Sequence, residues 1–144
     1  MARYIHSVDS KGRVIVPARV RNNLDGTLYV TLSLDDGYLS AYSTKQFDEI
    51  LRQLNEQSGT DPEFRRFRRE FLGSAMACEL DAQGRISLNN ELLEAIGVRA
   101  GDEICFIDMF DKVEICPRSF DEASRKDEHK LSEMDLSRYD VKGL

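Results

Sequence analysis

A mostly β fold with peripheral helices, in which two short repeats share one core, is what this 144-residue chain predicts. Three observations carry that reading. The cassette Asp9-Ser10-Lys11-Gly12-Arg13-Val14-Ile15-Val16 returns 72 positions later as Asp81-Ala82-Gln83-Gly84-Arg85-Ile86-Ser87-Leu88. The register extends past it, with Val20 falling on Leu92 and Leu24 on Ile96, and an internal repeat of this kind sets the architecture. Short β-branched runs flank each glycine turn, and repeats of about 45 residues bury too little surface to stand alone.

Taken in order, Tyr4–Val8 reads as a strand and 9–12 as a tight turn, where Gly12 supplies a conformation that a Cβ resists. Val14–Val16 is a second strand. Pro17 stops it and suits the start of a short helix over Ala18–Asn23. Thr27–Leu34 and Tyr38–Tyr42 form a hairpin around Asp35-Asp36-Gly37. Ser43 or Thr44 caps a four-turn helix whose Phe47, Ile50, Leu51 and Leu54 recur at helical spacing, and Ser58-Gly59 ends it. Asp61-Pro62 opens another helix, with Phe64, Phe67 and Phe71 on one side and Arg65, Arg66, Arg68 and Arg69 around the rest, closed by Gly73. The second copy follows the same plan: strands at Met76–Leu80 and Ile86–Leu88, a helix at Asn90–Ile96, strands at Glu103–Ile107 and Val113–Cys116. Pro117 or Ser119 starts a terminal helix containing Phe120 and Ala123. Beyond it Leu131, Met134, Leu136 and Tyr139 are sparse among charges, which predicts a polar, mobile or loosely docked tail over residues 121–144.

No apolar run approaches the ~20 residues that span a bilayer, and the N-terminal stretch lacks a signal peptide's apolar region, so a cytoplasmic protein is expected. Cys78, Cys105 and Cys116 have no CxxC spacing and sit in apolar stretches, as buried small hydrophobes in a reducing compartment do. His6 and His129 lack a neighbouring ligand, so neither a metal nor any other cofactor is expected, and no small-molecule ligand is evident. The net charge is −6, but it is unevenly placed. Residues 1–24 carry Arg3, Lys11, Arg13, Arg19 and Arg21 against the single acid Asp9, a balance of +4, which leaves −10 for the rest. A basic face on an acidic body suits a phosphate-rich partner, and surface scatter is the plain alternative.

The two copies act as controls for each other. Lys11 meets Gln83, Arg19 meets Glu91 and Arg21 meets Leu93, so the first copy is the basic one. Lys11 stands at the tip of its turn, and Arg13 projects from the hairpin edge, where a guanidinium suits bidentate contact to phosphates or base edges. Arg85 holds the same place in the less basic copy, so Asp9–Arg13 and Asp81–Arg85 pairs that lock the turns are an equally open reading. Arg19 and Arg21 lie roughly 200° apart on a helix and cannot share a face. Arg3 is a plausible phosphate contact. For Arg65–Arg69 a salt-bridged helix face is expected, because Asp61, Glu63 and Glu70 lie within a turn or two. Two aspartates from related halves superficially suggest a paired-carboxylate enzyme. An arginine four residues beyond each would keep it ionised, and no nucleophile–base set or phosphate loop accompanies them, so catalysis is not expected.

Residues Asp9-Ser10-Lys11-Gly12-Arg13 with Val14-Ile15-Val16-Pro17-Ala18-Arg19-Val20-Arg21, then Phe71-Leu72-Gly73-Ser74-Ala75 leading into Cys78-Glu79-Leu80-Asp81 and Gly84-Arg85, carry a family resemblance over about residues 3–120. The chain resembles the MraZ family of bacterial transcriptional regulators, built from two AbrB/SpoVT-type modules. The resemblance implies a first repeat over 3–47 facing DNA, linking helices over 48–74 and a second repeat over 75–120. The two interleaved half-barrels would form one double-split, swapped-hairpin β-barrel. It further implies a homo-oligomeric ring binding double-stranded DNA at promoter direct repeats of cell-division and cell-wall genes, associated with the nucleoid. Arg21 and His6 match AbrB-type DNA-contacting positions, although a strand histidine packed at an interface is the plainer reading of His6. Ser87, Asn89 and Leu93 depart from the family pattern, where an apolar residue, a proline and an arginine are usual, so the second copy is expected to complete the barrel rather than to touch DNA. The alternative function is a ring-forming structural protein with no DNA specificity of its own.

Overall fold

The computed structural model describes residues 2–127 and 130–144. Strands β1 (Arg3–Ser7), β2 (Arg13–Ile15), β3 (Thr27–Leu32) and β4 (Leu39–Ser43) belong to the first repeat, with the short helix α1 (Ala18–Arg21) between β2 and β3. Helices α2 (Thr44–Glu56) and α3 (Pro62–Ser74) link it to the second repeat, β5 (Met76–Glu79), β6 (Arg85–Ser87), α4 (Asn90–Ala95), β7 (Glu103–Asp108) and β8 (Val113–Pro117). Helix α5 (Arg118–Asp127) follows, then a single 3₁₀ turn at Leu131–Glu133.

The repeats are interleaved. Six strands form one antiparallel sheet in the order β1-β7-β8-β4-β3-β5, and β2 pairs with β6 in a separate two-stranded ribbon. Exchanging the halves (β1 for β5, β2 for β6, β3 for β7, β4 for β8) returns the same order reversed, so the sheet has a pseudo-twofold through the β4–β8 pair. Each repeat lends its first strand to the other: β1 lies on β7, with Tyr4 opposite Phe106, and β5 lies on β3, with Leu28 opposite Cys78. In the ribbon Arg13 faces Ser87, Val14 faces Ile86 and Ile15 faces Arg85.

Both sheets enclose one core. Val14, Val16, Ile86 and Leu88 from the ribbon segments meet Leu28, Val30, Leu39, Ile104, Phe106 and Ile115 from the large sheet, with Val20 and Leu92 from the paired short helices. Side-chain alternation along strands puts this set inside and turns Tyr42, Cys105, Ile107 and Cys116 to the opposite face of the large sheet, where they are buried in smaller clusters. A second cluster, Tyr42, Phe47 and Phe71, seats α2 and α3 on the sheet. Phe67 stacks on Phe71 at 5.5 Å, so these phenylalanines pack as core.

Local chemistry explains the element ends. Ser43 and Gln46 form a reciprocal capping box on α2. Asp61 accepts from the Glu63 amide to cap α3. Most element ends lie a residue or two from expectation, and four of these shifts have a visible cause. Helix α1 stops at Arg21, because the Asn23 amide bonds back to Val20 in a tighter turn. β3 ends at Leu32, and the hairpin turn to β4 is closed by Ser33 and Tyr38. Helix α3 runs through Gly73 to Ser74, whose hydroxyl donates to the Phe71 carbonyl and accepts the Leu32 amide. Helix α5 begins at Arg118, one residue past the proline that ends β8.

The salt-bridged face expected for α3 is also corrected. Arg65 donates to the carbonyls of Gly59 and Thr60, Arg68 to Asn55, and no α3 arginine pairs with Asp61, Glu63 or Glu70 among the described residues. The α2–α3 loop and α2 itself offer these donors nearer acceptors than their own helix does. All three cysteines are free and buried, and burial pushes their thiols up to about 11 for Cys78 and Cys105 and about 12 for Cys116. No helix among the described residues is long and apolar enough to cross a membrane. His129 lies outside the described residues.

Candidate nucleic-acid interface

The two cassettes build the same turn. In the first, Asp9 donates its amide to Arg13 O at 2.9 Å and accepts the Gly12 amide at 3.1 Å; in the second, Asp81 does the same with Arg85 and Gly84. Gly12 and Gly84 have φ of +75° and +77°, the region glycine tolerates. A Cβ on Gly12 would also stand 2.9 Å from the Leu88 carbonyl, because each turn glycine's carbonyl accepts an amide from the other copy's strand end (Val16 to Gly84, Leu88 to Gly12).

Each aspartate locks its turn. Asp9 Oδ1 accepts the Lys11 and Arg13 amides, both at 2.9 Å, and Oδ2 accepts Arg13 Nε at 2.7 Å. Asp81 holds Gln83 and Arg85 in the same way, with Arg85 Nε at 2.8 Å. The Arg13 amide, then its guanidinium and the Lys11 amide, take the Asp9 carboxyl down to about 2 against the opposing effect of desolvation. Asp81 is lowered for the same reasons, led by the Arg85 amide. The turn-locking pair is thus present in both copies. It occupies only Nε of each arginine, and no hydrogen bond engages their terminal nitrogens among the described residues.

What each cassette presents follows from strand alternation. Val14 and Ile86 point into the core, so Arg13, Ile15, Arg85 and Ser87 share the outer face of the ribbon. Lys11 is exposed at the first turn, and no hydrogen bond or ion pair engages its ammonium among the described residues. Beside this turn runs a cleft whose walls include Asp9, Lys11, Asn90, Leu93, Glu94 and Arg99. Arg99 is an exposed cation that the repeat comparison did not single out, because it lies in the divergent loop after α4.

The other basic residues are placed differently. Arg21 lies half-buried across the second turn: a Cβ on Gly84 would stand 2.8 Å from its Cδ and Cζ. Arg19 reaches Asp108 Oδ2 at 3.5 Å, with its guanidinium 5.3 Å from the Phe110 ring centre. Phe110 is exposed and holds φ +71°, its amide donating to Asp108 Oδ1 at 2.9 Å. Arg3 Nε pairs with the buried Asp121 of α5 at 3.2 Å, and His6 packs edge-on to Phe106 at 6.2 Å. Asp108 and Asp121 stand 89 and 118 positions from the arginines they engage, and no local pattern announces them. Asn89, where the family pattern has proline, accepts the Leu92 amide at 2.9 Å and caps α4. Glu91, opposite Arg19 in the repeat, sits in that helix's first turn, where a negative charge is favoured.

Two swapped copies around a β ribbon, with cations outside and carboxylates spent on locking turns, define a tandem, pseudo-symmetric hairpin protein with no catalytic constellation in its cassettes. The family comparison names the group. The model described as "MraZ protein, putative antitoxin-like" matches residues 1–70 and again 71–140, and the chain belongs to the MraZ family. A relative from Lachnoclostridium phytofermentans, named Transcriptional regulator MraZ, is 34% identical over 143 residues, covering 95% of this chain and 98% of its own. One of the same name from Caldanaerobacter subterraneus subsp. tengcongensis is 37% identical over 115 residues (80% and 78%), and one from Desulforamulus reducens 42% over 94 residues (65% and 66%). The family is one of transcriptional regulators and not of enzymes.

Proposed function

We propose that this chain is a sequence-specific, DNA-binding transcriptional regulator that acts as a homo-oligomeric ring on spaced promoter repeats. The observation that carries the reading is the outer face of the β2–β6 ribbon, which carries Arg13 next to the turn of the unpaired Lys11 at one end and Arg85 at the other. Lys11 supplies a phosphate contact. Arg13, held by Asp9 through Nε, keeps its forked end for a phosphate or a guanine edge. Arg21 adds a further cation. Arg3 and Arg19 each face an acid, and His6 faces an aromatic ring, so they serve the interface through the shape of β1 and α1 more than through charge.

One subunit offers few cations, so useful affinity at cellular salt needs several subunits on one assembly, where later contacts become intramolecular and avidity rises by ~10² or more. Action in the cytoplasm, at the nucleoid and on cell-division and cell-wall genes follows from the family resemblance. The test is binding to duplexes carrying one, two and three repeats from the region upstream of the chain's own gene, with light scattering for subunit number. Affinity is expected to climb with repeat number and to fall steeply with salt. Equal affinity for all three duplexes, or a flat salt response, would overturn the reading in favour of a scaffold.

A further inference from the structure

We infer that Phe110, at the tip of the β7–β8 hairpin, is a base-contacting anchor beside the cationic ribbon. The inference rests on the DNA-binding reading above and adds an apolar contact to a reading that so far names charged ones. Phe110 is the only non-glycine residue with a positive φ among those described, at +71°. The Asp111 amide donates to the Met109 carbonyl at 2.9 Å, which makes Phe110 the centre of a three-residue γ-turn of the rare, strained form. A bulky side chain is costly in that region. The β3–β4 hairpin places Gly37 there instead, at +89°.

The core gains nothing from this residue. Its ring is 76% exposed and belongs to none of the core clusters, and Met109 beside it is exposed as well. Yet the tip is held from several sides. The buried Asp108 accepts the Phe110 amide through Oδ1 at 2.9 Å, and its Oδ2 takes Arg19 Nε at 3.5 Å. The Arg19 guanidinium lies 5.3 Å from the ring centre, and Gln46 Nε2 reaches the Phe110 carbonyl at 3.5 Å. One acid thus fixes both the turn and the arginine that supports its ring, which makes Arg19 a positioning residue. Strain retained at an exposed, braced aromatic indicates a binding role. Location names the partner. Arg19 stands on α1, the helix that follows β2 and whose Arg21 lies across the second turn, so the tip adjoins the rim of the ribbon. A duplex laid on the ribbon and continued past α1 brings its groove to the tip, where an aromatic ring suits a thymine methyl or an opened base step.

The experiment uses the full chain, the upstream duplex and a duplex of scrambled sequence, and compares wild type with Phe110→Gly. Glycine relieves the turn, so this variant should melt no lower than wild type. Phe110→Asn, which also tolerates that φ, stands in if the glycine variant melts early. Affinity for the upstream duplex should fall about fivefold or more per engaged subunit, the size of one aromatic contact to a base, and fall less for the scrambled duplex. The salt slope should stay as in wild type, because no phosphate contact is lost. Unchanged affinity for the upstream duplex, or an equal loss on both duplexes, overturns this inference while the DNA-binding reading stands. A smaller subunit number by light scattering overturns it too, since the tip would then be a contact between copies. A flat wild-type salt slope overturns both readings.

Discussion

Replacing Lys11 by glutamine gives the first turn the residue that the second already uses at Gln83. Nothing in the fold opposes the change. The Lys11 ammonium is exposed and unpaired, and the turn is held through its amide, which Asp9 accepts whatever the side chain. Stability should therefore move by less than about 0.5 kcal/mol. Binding should not be spared. If Lys11 meets one phosphate, each engaged subunit loses about 0.9 from the slope of log K against log salt. Over a fourfold rise in salt, the affinities of wild type and variant then converge by about 3.5-fold for one engaged subunit and about 12-fold for two. Fluorescence anisotropy on the upstream duplex at several salt concentrations reads this directly, with a thermal melt as the folding control. Parallel salt lines with an unchanged melt would mean that Lys11 is a solvated turn residue, and the argument from its exposure would be refuted.

Three other outcomes follow from the same geometry. Asp9 has its folded-state pKa depressed to about 2, so it stabilises the protein above the ordinary carboxylate range and that stabilisation is lost as pH falls from about 4 towards 2. Asp9→Asn should melt lower at neutral pH and show a flatter stability profile over that window; a profile parallel to wild type would contradict the turn-locking role. Leu92 is fully buried in the shared core, and Leu92→Ala should cost about 2–5 kcal/mol in denaturant unfolding, whereas a loss under about 1 kcal/mol would mean that α4 packs more loosely than described. The thiols of Cys78, Cys105 and Cys116 are buried and poorly ionised, so a disulfide reagent at pH 8 should label them only as the protein unfolds. Rapid labelling of any of them in the folded state would count against the burial described for that residue.

The sequence carried the local parts of this molecule well. Glycine turns, β-branched runs and the Ser43 cap are signals written within a few residues, and the strands and helices fall close to where those signals lie. The Asp9–Arg13 lock was readable as one of two alternatives, because both partners sit in one turn. Strand partners were not readable: that Val14 pairs with Ile86 depends on how two distant segments meet around a core. The same limit hid the partners of Arg3, Arg19 and Arg21, each set by a residue at least 63 positions away. For α3, proximity along the helix pointed to acids, yet loop carbonyls and Asn55 on the neighbouring helix were better placed for Arg65 and Arg68.

The palindromic strand order has a consequence for how such a molecule can change over generations. In an assembly of two identical chains, every substitution lands twice, so a gain at one position imposes the same alteration at its mirror image. Joining both copies on a single polypeptide removes that constraint. Here Asn89 caps a helix where its counterpart is Pro17, and Leu93 plugs a niche where its counterpart is Arg21. Division of labour between mirror-related sites becomes available to a lineage once they are encoded separately.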